Sequence, residues 1–265
     1  MRWPDSWLVP RWPAPDGVRA VFTSREGGVS LPPFDSFNLG DHVRDDPRLV
    51  QSNRAALRRG IGARPVFLQQ VHGTRVIALD AHTADGAQAD ACLTTESGVA
   101  CTVMVADCLP VLLTDSLGQV VAAAHAGWRG LAGVDGLGVL DGTIQAMLEV
   151  QAKQGSTSDL IAWLGPCIGP DHFEVGDEVR QAFADARFDV SSTFRRGEKP
   201  GKWMADLPGL ARQRLWRAGV SAVYGNDGSL NWCTVHQASR FFSHRRDAAR
   251  FGSTGRMAAC IWRGE

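Results

Sequence analysis

Two imidazoles and one thiol are the residues of this chain best placed to do chemistry: His72, Cys108 and His125. Each lies at or beside the end of an apolar, β-branched run and is followed at once by a turn signal. The three segments read Gln70-Val71-His72-Gly73, Ala106-Asp107-Cys108-Leu109-Pro110 and Ala124-His125-Ala126-Gly127-Trp128-Arg129-Gly130. Strand ends that open into Gly or Pro loops are where an α/β protein exposes its reactive groups. Two imidazoles and a thiolate form a competent donor set for zinc or copper, and three protein ligands leave one position open for water or substrate. An open site points to catalysis, whereas a closed four-ligand site points to structure.

Spacing alone leaves the chemistry open, because no compact ligand motif joins the three residues. A metal-free reading uses the same atoms: Cys108 as nucleophile and His125 as its base, with a neighbouring imidazolium lowering the thiol pKa. Asp107 is a candidate partner for a histidine ligand, or simply a turn cap. His42 and His82 lie in polar loops, and His172 follows Pro170-Asp171, so each reads as a structural residue. Arginine with glycine forms a second class of candidate. Arg25 beside Gly27-Gly28, Arg129 between Gly127 and Gly130, and Arg245-Arg246 could each bind an anion. Ion pairs of Arg25 with Glu26 and of Arg246 with Asp247 are the structural alternative. No Walker or dinucleotide-binding fingerprint is present.

The elements that must position these groups follow from periodicity and turn chemistry. Residues 18–23, 66–70, 75–79, 99–105, 111–114, 120–125, 161–164, 220–224 and 257–262 read as strands. Asp46-Pro47 pairs an N-cap with a first-turn proline, which predicts a helix over 48–59. The segment from 128 to 148 begins with glycines and ends with helical spacing, and helices are expected over 175–186 and after Asp206, where Pro208 sits in the first turn and Gly219 ends the helix. The loop from Arg25 to Gly40 is long enough to be functional. Phe241-Phe242-Ser243-His244-Arg245-Arg246-Asp247 is a polar cluster pinned by two aromatics. The middle strands follow one another with short gaps, which predicts an α/β fold, α+β-like in its grouping, with a mixed β-sheet flanked by helices. No linker divides the chain, so residues 1–265 are expected to form a single domain, with residues 1–16 an irregular Pro- and Trp-rich arm.

Composition narrows the partners. Lys plus Arg balances Asp plus Glu at 28 each, so no global field draws the chain to nucleic acid or to an acidic membrane surface. No apolar run is long enough to span a bilayer, and the N-terminus lacks a secretory pattern. The six cysteines show no paired spacing. They read as reduced thiols, which implies a cytoplasmic protein; the sequence leaves monomer and homodimer both open.

Taken in order, the motifs resemble a known family. Arg25-Glu26-Gly27-Gly28-Val29-Ser30, Asn38-Leu39-Gly40, the three segments around His72, Cys108 and His125, Gly165-Pro166-Cys167-Ile168-Gly169, the 241–247 cluster and Thr254-Gly255-Arg256 together resemble the bacterial YfiH-like proteins. That family is named both as laccase-domain multicopper polyphenol oxidoreductases and as purine nucleoside phosphorylases. The likeness runs from about residue 18 to 262. It implies a single α/β domain similar to the catalytic core of cytotoxic necrotizing factor toxins, and it implies His72, Cys108 and His125 as zinc ligands. One departure is His244, where the family more commonly has tyrosine.

A laccase needs several coppers and many histidines, and this chain has seven histidines, of which three stand in metal-like settings. The resemblance therefore favours a zinc-dependent purine nucleoside phosphorylase. Such an enzyme would cleave adenosine, inosine or methylthioadenosine with phosphate, with possible adenosine deamination through a zinc-activated water. Cys108, His125, Arg129 and His244 are the catalytic candidates. Arg25, Arg245 and Arg246 are candidates for phosphate, and Asn38 for sugar or base. The rivals are a cysteine amidohydrolase built on Cys108 and His125 (including an editor of cell-wall precursors), a copper-dependent phenol oxidase, and a non-enzymatic metal- or nucleotide-binding regulator.

Overall fold

A computed structural model describes residues 3–220 and 222–264. Met1 and Arg2 of the expected arm, Ser221 of the expected 220–224 strand, and Glu265 lie outside the described residues. The strands fall into three sheets. β1 (Val18–Phe22), β13 (Met257–Arg263), β5 (Val99–Val105) and β2 (Arg64–Phe67) form a four-stranded mixed sheet in that order. A six-stranded mixed sheet runs β12 (Ala222–Gly225), β8 (Leu160–Leu164), β6 (Leu109–Asp115), β7 (Val121–Ala126), β4 (Ala91–Thr94) and β3 (Val76–Ala78). A small third sheet joins β10 (Phe194–Arg196), β11 (Lys202–Ala205) and β9 (Glu174–Gly176).

Side-chain alternation sets the layers. Along β5, Val99, Cys101, Val103 and Val105 pack with Leu112 of β6 and Val121 and Ala123 of β7, so the two large sheets face each other across one apolar layer. The alternate residues Ala100 and Met104 face outward, against Leu57 and Ile61 of helix α1 (Pro47–Ile61). On the far face of the six-stranded sheet, Leu109, Val111 and Leu113 meet α3 (Val139–Lys153) and α6 (Leu207–Arg217). The result is helix, sheet, sheet, helix. Both faces of β5, β6 and β7 are covered, which is why these strands read as continuous apolar runs and are buried throughout.

Local signals hold at several ends. The Asp46 side chain accepts from the Arg48 amide at the start of α1, and Asp206 caps α6 by accepting from the Gly209 amide. Three expectations are refined. The 128–148 segment, glycine-led with helical spacing at its end, holds two helices, α2 (Trp128–Ala132) and α3, because Gly133 turns at φ +81 with no room for a Cβ, which would sit 2.0 Å from the Leu137 carbonyl oxygen. The helix over 175–186 begins only at Asp177, as α4 (Asp177–Asp185), since 174–176 pair as β9 on the small sheet. The strand over 66–70 stops at Phe67, and the chain continues as a loop through His72. Three short elements complete the order: α5 (Val190–Thr193), a 3-10 turn (Leu230–Trp232) and α7 (His244–Phe251), the last formed by the polar cluster after Phe241-Phe242 and capped by Ser243, which accepts from the Arg246 amide. No described helix is long and apolar enough to cross a membrane.

Candidate metal centre and cleft

Strand register brings the reactive side chains together. β6 and β7 are antiparallel with Pro110 opposite His125 and Leu109 opposite Ala126. Continuing that register sets Cys108 across from Gly127. β4 pairs with β7 on its other side, Ala91 opposite Ala124, so the preceding residue Asp90 lies across from His125. The His125 amide donates to the Asp90 carbonyl at 2.7 Å. His125 shares the parity of Val121 and Ala123, so its ring points into the layer between the two sheets, at the open end of that layer.

His72 arrives from the loop after β2, in a left-handed backbone conformation at φ 60. Asp90, which is fully buried, holds it there. Its carboxylate accepts from the backbone amides of Val71 (3.2 Å), His72 (2.8 Å) and Gly73 (2.7 Å), and from His125 Nδ1 at 2.8 Å. Gln70 ties the same loop to β5 through a reciprocal pair of bonds with the Met104 backbone. The Nε2 edge of His125 is thereby left to face Cys108. The donor atoms of His72, Cys108 and His125 all lie within 4.8 Å of one another.

The donor set fits a tetrahedral ion. Zinc–nitrogen bonds near 2.05 Å and a zinc–sulfur bond near 2.3 Å, at tetrahedral angles, require an N to S separation of about 3.6 Å. Cys108 Sγ and His72 Nε2 are 3.6 Å apart. Space for the ion is kept by Gly127: a Cβ there would lie 2.9 Å from His72 Cδ2 and 3.0 Å from Cys108 Sγ. The Asp90–His125 bond is the carboxylate–histidine arrangement that fixes the tautomer of a metal ligand. This is the single group of three or more His, Cys, Asp or Glu side chains suited to a metal ion among the described residues.

Without a metal ion the same atoms form an ion pair. Burial favours the neutral thiol of Cys108, but the charge of His125 and hydrogen bonds from His125 and His72 outweigh it and bring the pKa down to about 6. Burial likewise opposes protonation of His125, yet the Cys108 thiolate and Asp90 hold it up at about 9. For Asp90, burial is offset by the bonds from His125 and the Gly73 and Val71 amides, so it stays below the usual carboxylate range.

The trio forms one wall of a cleft of about 410 Å³, within the roughly 300–1,000 Å³ typical of small-molecule sites. Met104, Trp128, Ile168, Phe173 and Leu207 are its apolar lining, and His42, His244, Arg245, Arg256 and Asp107 its polar and charged lining. Asp107, at φ 92, does not touch the histidines. It accepts from Thr234 Oγ1 (2.5 Å) and from the Arg245 amide (2.6 Å), and so docks the start of α7 against the β5–β6 turn.

The candidate residues therefore divide. His72, Cys108, His125, His244 and Arg245 converge on the cleft; Arg25, Asn38, Arg129 and Arg246 do not line it. Arg25 pairs with Asp35 at 3.2 Å, not with Glu26, and donates to the Asp35 and Ala238 carbonyls. Arg246 is held by Asp247 at 2.7 Å and by the carbonyls of Thr234, Val235 and Phe241. Arg129 is exposed, its guanidinium 4.4 Å from the centre of the Trp128 ring. Asn38 is completely buried; it bonds Gly40, Asp45 and the Arg256 amide, and positions backbone. Sequence reasoning missed Asp90, an acid directly before the small apolar run Ala91-Cys92-Leu93. It also gave no role to Arg256 of the Thr254-Gly255-Arg256 motif and set His42 aside as a loop residue.

Residues 19–264 match the family described as multi-copper polyphenol oxidoreductase laccase. A Pseudomonas aeruginosa protein named purine nucleoside phosphorylase is 48% identical over 97% of this chain and 98% of its own. The Escherichia coli purine nucleoside phosphorylase YfiH is 45% identical over 96% and 98%. Among solved structures, a Neisseria meningitidis protein superposes with a TM-score of 0.87 at 44% identity, covering 98% of this chain and 100% of that one. YlmD from Geobacillus stearothermophilus gives 0.82 at 33%, covering 94% and 93%. With its fold, its length and nearly every residue of β1 through β13 inside these matches, the chain belongs to the YfiH-like, multi-copper polyphenol oxidoreductase laccase family.

Proposed function

We propose that this protein is a zinc-dependent purine nucleoside phosphorylase acting on adenosine, inosine or methylthioadenosine, with adenosine deamination as a second activity of the same cleft. The observation that carries the reading is the convergence of His72, Cys108 and His125 at a cleft lined by both apolar and basic side chains. The names and near-complete coverage of the relatives support it. A multicopper oxidase is disfavoured, because the described residues offer one three-donor group and no second cluster for further coppers.

In phosphorolysis a phosphate oxygen bonds to the ribose anomeric carbon while the glycosidic bond breaks. The electron pair leaves with the purine, and the proton carried by the phosphate ends on the base. The apolar wall of Met104, Trp128, Ile168, Phe173 and Leu207 packs the purine and excludes water. Arg129, stacked behind Trp128, steadies that ring. His244, the first residue of α7, reaches ribose or base as a hydrogen-bond donor. Asp90 acts through His125, fixing the tautomer whose Nε2 lone pair would hold the ion. A bound zinc would supply Lewis acidity and an acidified water, which suits deamination at the purine carbon bearing the amine. The six free thiols, five of them buried, support a reducing, cytoplasmic setting.

The test is chromatographic. Zinc-loaded protein with phosphate should release free base and ribose 1-phosphate from at least one of the three nucleosides, and Cys108→Ala should lose that activity. No phosphate-dependent base release, or equal release by the Cys108→Ala variant, would overturn the reading.

One observation favours a second reading. Asp90, His125 and Cys108 form an acid–imidazole–thiol relay with a thiolate already present near neutral pH, the arrangement of a metal-free cysteine amidohydrolase. Its activity would survive exhaustive chelation and be abolished by a thiol alkylator, the opposite of what zinc dependence requires.

A further inference from the structure

Of the arginines that the sequence offered for an anion, Arg25 and Arg246 are already paired with carboxylates, whereas Arg256 is built to receive one. Its backbone is fixed on both sides: its amide donates to Asn38 Oδ1 at 2.8 Å, and its carbonyl accepts from the Leu39 amide at 3.1 Å. Its side-chain stem lies against Gly40, where a Cβ would sit 2.7 Å from Arg256 Cγ, so only glycine lets the stem pass. Its Nη1 is clamped by the carbonyls of Thr254 (2.9 Å) and Gly255 (3.2 Å). Among the described residues no carboxylate lies within 4 Å of the guanidinium, and Nε and Nη2 have no protein partner. A guanidinium anchored along one edge presents the other as a rigid fork, the geometry that binds an oxyanion through two parallel bonds.

Two further groups in the cleft can bond an oxyanion. His42 and Arg245 line the same cleft. Burial, and then the charge of Arg256, hold His42 below the usual imidazole range despite Asp41 beside it. The Arg245 guanidinium hydrogen-bonds only a carbonyl, that of His172, while its amide is taken by Asp107. Asp107 and Cys108 line the cleft too and act on Arg256 through their charge, but neither bonds its free edge, which stays open to an external anion.

We propose that Arg256 is the phosphate-binding residue of this cleft, with Arg245 and His42 completing an oxyanion site for inorganic phosphate. The proposal rests on the phosphorolytic reading for its choice of anion. It also reassigns Asn38, which holds Arg256 in place without touching substrate.

Calorimetric titration of inorganic phosphate into the zinc-loaded full chain tests this without any turnover. Removing one charged bidentate contact should weaken binding about 10- to 100-fold in Arg256→Gln. Arg256→Lys keeps the charge but not the fork and should fall between; it also covers the case in which the glutamine variant fails to fold. Unchanged phosphate affinity in these variants, or no phosphate binding by the wild-type protein at millimolar concentration, would overturn the proposal. The two readings fail separately. Arg256-dependent phosphate binding without nucleoside cleavage would sink the phosphorylase reading alone. Cleavage with an unchanged phosphate KM in Arg256→Lys and Arg256→Gln would sink the assignment of Arg256 alone.

Discussion

Asp90→Asn isolates what the buried carboxylate does. Oδ1 accepts from the His72 amide and from His125 Nδ1, while Oδ2 accepts from the amides of Val71 and Gly73. An amide of the same shape keeps one oxygen, so two of the four donors now face an NH2 group. Each buried donor left without a partner costs about 1–3 kcal/mol. The loss is therefore about 2–6 kcal/mol, a large part of the 5–15 kcal/mol typical of a domain, and Tm should fall on the order of 10 °C. If the amide nitrogen faces His125, the ring must present Nδ1 as an acceptor and carry its proton on Nε2, which removes that ligand. Zinc affinity should then drop about 10- to 100-fold. Competition against a chromogenic chelator at pH 7 reads the affinity, and melting with and without zinc reads the stability. If Asp90 acts through His125, the zinc-affinity losses of Asp90→Asn and His125→Ala will not add in the double variant. Wild-type zinc affinity in a destabilised Asp90→Asn protein would refute the reasoning and leave Asp90 a purely structural residue.

Two further outcomes are expected. Gly127→Ala adds a methyl 2.9 Å from His72 Cδ2 and 3.0 Å from Cys108 Sγ, at a backbone φ of −67 that alanine accepts freely; zinc affinity should fall at least about tenfold while Tm moves by no more than a few degrees, and a variant that binds zinc normally would show that the donors do not close on one ion. In the metal-free protein, the Cys108 pKa near 6 lies below that of an ordinary thiol and the His125 pKa near 9 above that of an ordinary imidazole. The depressed thiol loses its stabilising charge as pH falls through about 6, and the raised imidazole loses its own as pH rises through about 9, so the ion pair holds between those limits. Iodoacetamide alkylation of Cys108, followed by mass spectrometry, should rise with a midpoint near pH 6 while Cys101, Cys167 and Cys260, buried with raised pKa values, stay unmodified; a midpoint near 8.5 would show that His125 does not ion-pair with the thiol.

What could be read from the sequence follows the physics of burial. β5 and β13 were legible because strands covered on both faces are continuous apolar runs. β4 was not, since Ala91-Cys92-Leu93-Thr94 is short and mostly small, and with it went the one strand whose register sets Asp90 opposite His125. The three donors were legible as residue types at turn-flanked ends, but not as one site: their meeting depends on the β6–β7 register and on a loop held by a carboxylate with no sequence motif of its own. The arginines show the sharper limit. Arg25, Arg246 and Arg256 all stand beside glycine or arginine in motifs of the same appearance. They differ in whether a carboxylate from elsewhere reaches them first: Asp35 takes Arg25 and Asp247 takes Arg246, while Arg256 meets only carbonyls. A charged group free to bind a ligand is one the fold has left unpaired, and that is a property of the packed molecule. The most informative arginine was therefore in plain view, and only its missing partner set it apart.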